Sequence, residues 1–240
     1  KIRPKQLEAT TLHNKPIELI NNKEMILHVY KKKKKTNSGE VYVATPDQKI
    51  ANLIKENGGN AVLTSLNHQT GTDRVFEVFE NQLMSKPKII VNLQGDMPNI
   101  DPKAIINLVT YMKEGKCDIG TLASSFNSNI EMANVNNVKV TVKDSLKINQ
   151  FSKATDFFRA NKENNKNLYH HVGIYAFTNK ALVRYVSLKR SKLELERKLE
   201  QLRALENSMT IHVGYINSSP LSVDTKDDLI KVKKIMEKND

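Results

Sequence analysis

The order of apolar and polar positions predicts alternating strands and helices through the first half of the chain. Short apolar runs typical of strands occupy Glu40–Thr45, Ala61–Thr64, Lys88–Leu93 and Asp118–Ala123. Between these runs, apolar residues recur at helical spacing and predict three helices. The first ends at Gly58-Gly59, the second covers Thr72–Leu83, and the third runs from the cap residue Asp101 through Glu114. This rhythm predicts an α/β fold with a doubly wound, mostly parallel sheet that binds ligands beyond the strand ends.

The pattern changes in the second half. Val138–Val142 and Leu146–Phe151 alternate on either side of Lys143–Ser145 and predict a β-hairpin excursion. Two further strands are predicted over Val172–Phe177 and Thr210–Ile216, and two further helices over Ser191–Glu206 and Thr225–Glu237. In the second-half helix a stripe of leucines from Leu195 to Leu205 predicts the buried face.

Composition narrows the class of protein. The 240 residues are 39% hydrophobic, which suffices for one core. No apolar run approaches the roughly 18 residues that span a bilayer, so no membrane insertion is expected. The single cysteine, Cys117, cannot form an internal disulfide, and this favours a reducing cytoplasm.

The formal net charge of +12 raises the question of a nucleic-acid partner. The excess is concentrated in the first 35 residues, where the run Lys31–Lys35 follows an apolar segment and is typical of the solvated end of a helix. Aromatic residues make up 6% of the chain and tryptophan is absent, so there are few stacking platforms for bases. A nucleic-acid partner is therefore not predicted.

The strongest chemical signal is the segment Asn-Leu-Gln-Gly-Asp-Met-Pro at 92–98, directly after an apolar strand. A carboxylate at a strand end, such as that of Asp96, is well placed to hold a hard cation beside phosphate groups. An ordinary turn at Gly95-Asp96 explains the same residues equally well.

This segment resembles the metal loop of the 3-deoxy-D-manno-octulosonate (KDO) cytidylyltransferases, or CMP-KDO synthetases. Other segments agree with that family in the same order: Asn14–Pro16, Val43–Thr45, His68–Arg74, Phe151–Lys153, His171–Tyr175, Leu199–Glu206 and Val223–Thr225. The resemblance covers essentially the whole chain. It implies a nucleotide-diphospho-sugar transferase fold, CTP and KDO as substrates, Mg²⁺ as cofactor, CMP-KDO for lipopolysaccharide biosynthesis as product, and a homodimer.

The resemblance also implies one domain over residues 1–240, with a nucleotide-binding half at about 1–125 and a sugar-binding and dimerisation half at about 126–240. It places Lys15, Asp96 and Asp224 at the reaction centre, with the two aspartates as Mg²⁺ ligands and Lys15 on the phosphates. From the residues alone, Lys15 is equally well a solvated loop lysine, and Asp224 is equally well the N-cap of the closing helix.

The remaining site residues fall into two groups. The nucleotide-binding set implied by the resemblance is Lys15, Thr72, Arg74, Gln94 and Asp96, with Gly71 in a tight turn and Asp73 beside Arg74. The sugar-binding set is Gln94, Lys153, His171, Tyr175, Glu200 and Gln201. The alternatives are a surface position for Arg74, a solvated helix position for Glu200, and core positions for His171 and Tyr175, which share one strand face.

The chain departs from the family pattern near its start. In the segment Pro4–Pro16, Gln6 and Thr11 stand where the family has arginines, and Glu8 stands at a small-residue position. Each charge-assisted hydrogen bond to phosphate contributes about 1.5–3 kcal/mol, so this loss could slow turnover greatly. Two alternatives therefore accompany the synthetase: a catalytically impaired relative that keeps sugar and metal binding, and a cytidylyltransferase for another acidic sugar.

Two single substitutions also depart from the family. Lys153 replaces an arginine that is expected at the sugar, and an ammonium lacks the guanidinium's two-pronged geometry. Arg197 stands where the family tends to have a glutamate.

Overall fold

The structure is a computed structural model that describes residues 12, 15–83, 85–160 and 166–237. The chain divides into two compact units. The first unit contains the described parts of Lys1–Leu63, Gln94–Lys103 and Pro220–Asp240, and the second contains those of Thr64–Leu93 and Ala104–Ser219. The boundaries of these units differ from those of the predicted halves, 1–125 and 126–240. The single domain with a nucleotide-binding half and a sugar-binding half stays a prediction.

The secondary structure follows the predicted alternation. After a short 3₁₀ helix at Lys15–Ile17, the described elements are, in chain order, β1 (Leu19–Ile20), β2 (Lys23–Glu24), α1 (Met25–Lys34), β3 (Tyr42–Thr45), α2 (Gln48–Glu56), β4 (Asn60–Leu63), α3 (Gly71–Asn81), β5 (Ile89–Leu93), α4 (Pro102–Lys113), β6 (Ile119–Ser124), α5 (Asn129–Ala133), β7 (Lys139–Val142), β8 (Phe151–Phe158), β9 (Leu168–Thr178), α6 (Asn179–Ser187), α7 (Lys192–Arg197), α8 (Gln201–Glu206), β10 (Ile211–Tyr215) and α9 (Lys226–Glu237).

The first unit is built on a parallel pair of strands with a helical crossover. β3 and β4 pair in parallel, and α2 connects them. Asp47 caps α2 by accepting a 2.7 Å hydrogen bond from the Lys49 amide, and Gly58 ends the helical segment with a φ of +70° that favours glycine. Ile54 is fully buried against Ile26 and its neighbours on α1. These elements confirm the first two strands predicted in the first half and the helix between them.

The second unit contains a six-stranded sheet in the order β5-β9-β6-β10-β8-β7. The pair β6–β10 is parallel, whereas β9 runs antiparallel between β5 and β6. β5, β6 and β10 consequently point the same way, as the α/β pattern predicts. The hydrogen-bonded pairing is nevertheless more mixed than a mostly parallel sheet, because the 11-residue strand β9 is inserted among them.

The predicted hairpin is present, but its second strand was misplaced. β7 pairs antiparallel with β8, which begins at Phe151 rather than at Leu146. In the segment between the two strands, Leu146 is buried in the core, whereas Ile148 is 63% exposed on the surface. Both strands belong to the six-stranded sheet and do not form a separate excursion.

The predicted helix Ser191–Glu206 is two helices. Lys198 adopts the left-handed conformation with φ +54° and separates α7 from α8. The leucine stripe is therefore interrupted: Leu199 and Leu202 are buried, but Leu195 is 52% exposed. The sequence patterns also did not predict α5 and α6.

In the part of the chain that the structure describes, no helix is both long and apolar enough to cross a bilayer.

Candidate active site

Three residues that the sequence places at the reaction centre meet in the first unit. The Lys15 ammonium donates a 2.9 Å hydrogen bond to Asp96 Oδ2 and another of 2.9 Å to Asp224 Oδ1. The carboxylate of Asp96 is nearly buried, with its side chain 12% exposed, whereas that of Asp224 is 64% exposed. The carboxylates of Asp96 and Asp224 thus both contact the Lys15 ammonium, although the two residues lie far apart in sequence.

Backbone hydrogen bonds hold the two acidic segments. The Asp96 carbonyl accepts a 3.0 Å hydrogen bond from the Val223 amide, and the Asp224 carbonyl accepts one of 3.0 Å from the Leu12 amide. Gly95 precedes Asp96 at a crowded position, where a Cβ atom would lie 2.9 Å from the Ile26 side chain. Any larger residue before the carboxylate would therefore have to displace the end of the Ile26 side chain.

Asp224 is not the N-cap of the closing helix. That role belongs to Thr225, whose hydroxyl accepts the Asp228 amide at 3.2 Å while the Asp228 carboxylate accepts the Thr225 amide at 3.0 Å. The Asp224 side chain is left free to contact Lys15. Asp224 lies well beyond the end of β10, in the segment that leads into the closing helix.

The electrostatics of this cluster suit a cation. Burial lowers the pKa of Lys15, but the charges and hydrogen bonds of Asp96 and Asp224 outweigh it and leave that pKa raised. Asp96 Oδ1 is buried and has no hydrogen-bond partner among the described residues. Mg²⁺ prefers oxygen ligands, and the carboxylates of Asp96 and Asp224 could supply two of them. Water and phosphate oxygens would complete the coordination shell of the ion. The described residues contain no group of three or more potential metal ligands.

A second cluster lies in the second unit, where α3, β5 and the start of α8 contact one another. The buried Thr72 hydroxyl donates to Glu200 Oε1 at 3.2 Å and accepts from the Asn92 amide at 3.5 Å. Burial raises the pKa of Glu200, although hydrogen bonds from Thr72 and Thr70 oppose the rise. Glu200 Oε2 is buried with no described partner, so Glu200 is not a solvated helix residue.

A small cavity opens beside this cluster. It is lined by Thr72, Ile119, Tyr175, Phe177, Tyr185, Glu200 and Gln201. Tyr175, Glu200 and Gln201 were predicted at the sugar, and Thr72 at the nucleotide. Its lining combines three aromatic rings with the side chains of Glu200 and Gln201.

His171 and Tyr175 share one face of β9, as predicted, with ring centroids 5.5 Å apart. The Thr121 hydroxyl donates to the Ile174 carbonyl at 2.7 Å, so His171 Nε2 acts as the donor in the 2.9 Å hydrogen bond between His171 and Thr121. Burial, assisted by the neighbouring His170, lowers the pKa of His171 to about 3. His171 is therefore a neutral, hydrogen-bonded core histidine, and Tyr175 faces the cavity.

Arg74 is held locally and is not paired with Asp73. Its guanidinium donates to the Thr64 hydroxyl and, at 3.0 Å, to the Ser65 carbonyl. Asp73 instead forms a capping box with Thr70 at the start of α3. Gly71 is the first residue of that helix and not part of a tight turn. Arg74 therefore fastens the 64–65 segment to α3.

Lys153 lies on the opposite face of the sheet from His171 and Tyr175. It is directly paired with His212, whose ring contacts Tyr111 of α4 through a 2.6 Å hydrogen bond. The neighbouring pair, Ser152 with Val213, points to the opposite face of the sheet. Thr121, which is paired with Val213 and hydrogen-bonded to His171, lies on that same opposite face. The second unit therefore does not bring Lys153 to its predicted partners.

The remaining predicted residues lie in both units or outside the described residues. Gln94 is exposed in the first unit. Gln201 is buried at the first turn of α8. The loop positions Gln6, Glu8 and Thr11 lie outside the described residues. Asn92, Thr121 and Tyr185 were not singled out from the sequence. Asn92 stood within the quoted metal-loop motif, whereas a buried threonine and tyrosine carry no sequence signal that separates them from core residues.

Comparison with known proteins gives consistent matches over nearly the whole chain. A family model described as "Cytidylyltransferase" matches residues 6–211. The chain is 39% identical to a 3-deoxy-manno-octulosonate cytidylyltransferase of Rickettsia bellii (strain RML369-C), over 99% of this chain and 96% of that protein. It is 40% identical to the protein of the same name from Rickettsia felis, over 98% and 94%, and 37% identical to that from Bartonella bacilliformis, over 97% and 96%.

Solved structures agree with the sequence matches. A CMP:2-keto-3-deoxy-manno-octonic acid synthetase complexed with CTP superposes with a TM-score of 0.86 at 32% identity, over 95% of this chain and 94% of that one. A 4-diphosphocytidyl-2C-methyl-D-erythritol synthase from Anaerococcus prevotii superposes with a TM-score of 0.63 at 12% identity, over 95% of each chain, and shows a shared fold. The predicted nucleotidyltransferase fold is thus confirmed.

Proposed function

The chain belongs to the cytidylyltransferase family, and from this premise we propose that it is a 3-deoxy-manno-octulosonate cytidylyltransferase. The observation that carries the proposal is the near full-length similarity to proteins of that name, combined with the structural match to a synthetase complexed with CTP. The reaction is CTP + KDO → CMP-KDO + pyrophosphate, and its product is an activated sugar for lipopolysaccharide biosynthesis.

The chemistry is a single in-line displacement at phosphorus. The oxygen on the anomeric carbon of the sugar forms a bond to the α-phosphorus of CTP. The bond from that phosphorus to the oxygen bridging the α- and β-phosphates breaks, and pyrophosphate leaves with the electron pair. Negative charge accumulates around the phosphorus, so nearby cationic donors stabilise the transition state.

Lys15 is the cation that the first unit supplies for this task. Its ammonium has three donors, and two of them are directed at Asp96 and Asp224. With its pKa raised, it stays protonated across the physiological range. It can therefore donate to phosphate oxygens while the carboxylates fix its position.

We assign Mg²⁺ to the carboxylates of Asp96 and Asp224. Support comes from their convergence on one cation and from the unpartnered, buried Oδ1 of Asp96. When bound, Mg²⁺ supplies charge neutralisation at the phosphate oxygens and aligns the reacting groups.

The sugar is assigned to the cavity of the second unit. Glu200 and Gln201 offer an acceptor and an amide to the sugar hydroxyls, and Tyr175 contributes a wall. Thr72 and Asn92 orient the Glu200 carboxyl through their hydrogen bonds. The assignments of Arg74 and Gln94 to the nucleotide, the homodimer and the cytoplasmic location are further proposals that rest on family resemblance.

The direct test is pyrophosphate release from CTP and KDO in the presence of Mg²⁺. Asp96→Asn should lower kcat by about 10²–10³-fold, as the loss of one charged group that stabilises a transition state does. Asp227→Asn, an exposed carboxylate on α9, is the matched control and should retain activity. Folded protein that binds KDO without releasing pyrophosphate would instead identify the impaired relative, and a preference for a sialic acid would identify the other-sugar alternative.

A further inference from the structure

A buried ionic network lies behind the cavity of the second unit without lining it. Glu194 of α7 and Arg203 of α8 have relative exposures of 0% and 3%. Their side chains form two parallel hydrogen bonds, of 2.9 Å from Arg203 Nε and 2.6 Å from Arg203 Nη2. Arg190 and the Ser191 amide add hydrogen bonds of 3.0 and 3.1 Å to the same carboxylate. The network thus ties α7 to α8 across the break at Lys198.

Arg203 extends this network to α6 through an aromatic ring. Its guanidinium carbon lies 4.6 Å from the centroid of the Tyr185 ring, a distance typical of cation–π contacts. The Phe177 ring also packs against Tyr185, with centroids 5.8 Å apart. Tyr185 is 1% exposed, so its ring has little room to move.

The hydroxyl of this constrained ring reaches the residue just before α8. Tyr185 donates a 2.8 Å hydrogen bond to the Glu200 carbonyl, which also accepts the Arg203 amide at 3.1 Å. The backbone of Glu200 is therefore fixed from two sides. Its carboxyl points to Thr72 at the cavity and keeps one oxygen unpartnered among the described residues.

We propose that Tyr185 is a positioning residue for the sugar, whose hydroxyl fixes the Glu200 backbone so that the side chains of Glu200 and Gln201 are held in the lining of the cavity. This proposal rests on the sugar assignment made above. A tie between helices that served stability alone would need only the Glu194–Arg203 pair. The Tyr185 hydroxyl adds a hydrogen bond to the carbonyl of Glu200, which is the residue whose carboxyl lies at the cavity.

The test is Tyr185→Phe, which keeps the ring beside Arg203 and removes only the hydroxyl. We expect KM for KDO to rise about three- to tenfold, as for the loss of one hydrogen bond, while kcat and KM for CTP change less than about twofold. Tyr169→Phe is the matched control, because it removes a hydroxyl that bonds a backbone amide, that of Leu146, at 2.9 Å elsewhere in the unit. The control should leave all three constants unchanged.

A second readout needs no substrate. Carbon-13 NMR can follow titration of the Glu200 carboxyl, with Glu200→Gln identifying its signal. Because burial raises this pKa, a carboxyl loosened towards water in Tyr185→Phe should titrate at lower pH than in the unaltered protein. An unaltered protein that neither binds KDO nor releases pyrophosphate would refute the function, and the NMR shift would still decide the positioning role.

Two results would overturn the positioning role. One is an unchanged KM for KDO together with an unchanged Glu200 titration in Tyr185→Phe. The other is an equal change in kcat and in both KM values together with a lowered Tm, which would show a structural role only.

Discussion

Lys15 Nζ and Asp96 Oδ2 lie 2.9 Å apart, although the two residues are 81 positions apart in sequence. The same ammonium also contacts Asp224 at 2.9 Å, so both carboxylates compete for one cation at one place. A divalent metal that used these carboxylates would have to displace Lys15 from them or share them with it. The geometry therefore couples metal binding to the position of the lysine.

The first prediction follows from this coupling. Lys15→Met should bind Mn²⁺ about three- to tenfold more tightly in the absence of nucleotide, because a competing positive charge has been removed. Pyrophosphate release by the same variant should fall by two or more orders of magnitude. Calorimetry or Mn²⁺ electron paramagnetic resonance measures the affinity, with Lys231→Met, an exposed lysine on α9, as control. Weaker metal binding by Lys15→Met would mean that the ammonium supports the metal site rather than competing for it.

The second prediction concerns stability. Glu194→Gln leaves the Arg203 guanidinium buried without its anion, and it should lower the free energy of unfolding by about 3–5 kcal/mol. Glu196→Gln is the matched control on the same helix, where an exposed carboxylate lies 3.9 Å from Lys192. The control should change stability by less than about 1 kcal/mol. Urea denaturation measures both, and similar losses in the two variants would contradict a buried, satisfied pair.

The third prediction is a pH dependence. Burial lowers the pKa of His171 to about 3 in the folded state, against about 6.5 in the unfolded chain. Between these values the unfolded state binds the extra proton, so acid favours unfolding, and His171 should cost about 1.4 kcal/mol of stability per pH unit below about 6.5. Above that pH the contribution vanishes because both states are neutral.

His171→Gln keeps a hydrogen-bonding side chain and removes the titration. The free energy of unfolding of this variant, followed between pH 7 and pH 5, should fall less steeply than that of the unaltered protein. Equal slopes would show that His171 is protonated in the folded state as readily as in the unfolded one.

The fourth prediction tests the face on which Lys153 lies. Because Lys153 is paired with His212 on the α4 side of the sheet, Lys153→Met should change KM for KDO by less than about twofold. Glu200→Gln, which alters the cavity itself, should raise the same constant about tenfold or more. A large rise for Lys153→Met would support the original assignment of this lysine to the sugar and count against the face argument.

Local patterns sufficed for much of the fold. The caps Asp47 and Asp101 and the left-handed Gly58 mark helix ends through interactions that span only a few residues, so the sequence displays them directly. The family resemblance likewise predicts that Lys15, Asp96 and Asp224 lie together, as they do.

Features that depend on distant partners are the ones that the sequence pattern alone does not display. The face of Lys153 is set by the register between β8 and β10, and a one-residue shift would reverse it. Lys198 ends α7 in a conformation that non-glycine residues seldom adopt, so helical periodicity gave no sign of the break. Tyr185 looks like any core aromatic until its hydroxyl is seen to reach the Glu200 carbonyl.

The first unit is assembled from three separated stretches of the chain, and this affects the order in which its parts can appear during synthesis. The ribosome delivers the segment Pro220–Asp240 only after every described part of the second unit has been made. Every described residue of the second unit is therefore available for folding before Asp224 is made, and a chain interrupted before Pro220 would contain the residues of the cavity without Asp224. Under the proposed assignments, an interrupted chain would keep the residues that bind the sugar and lack one of the two metal ligands.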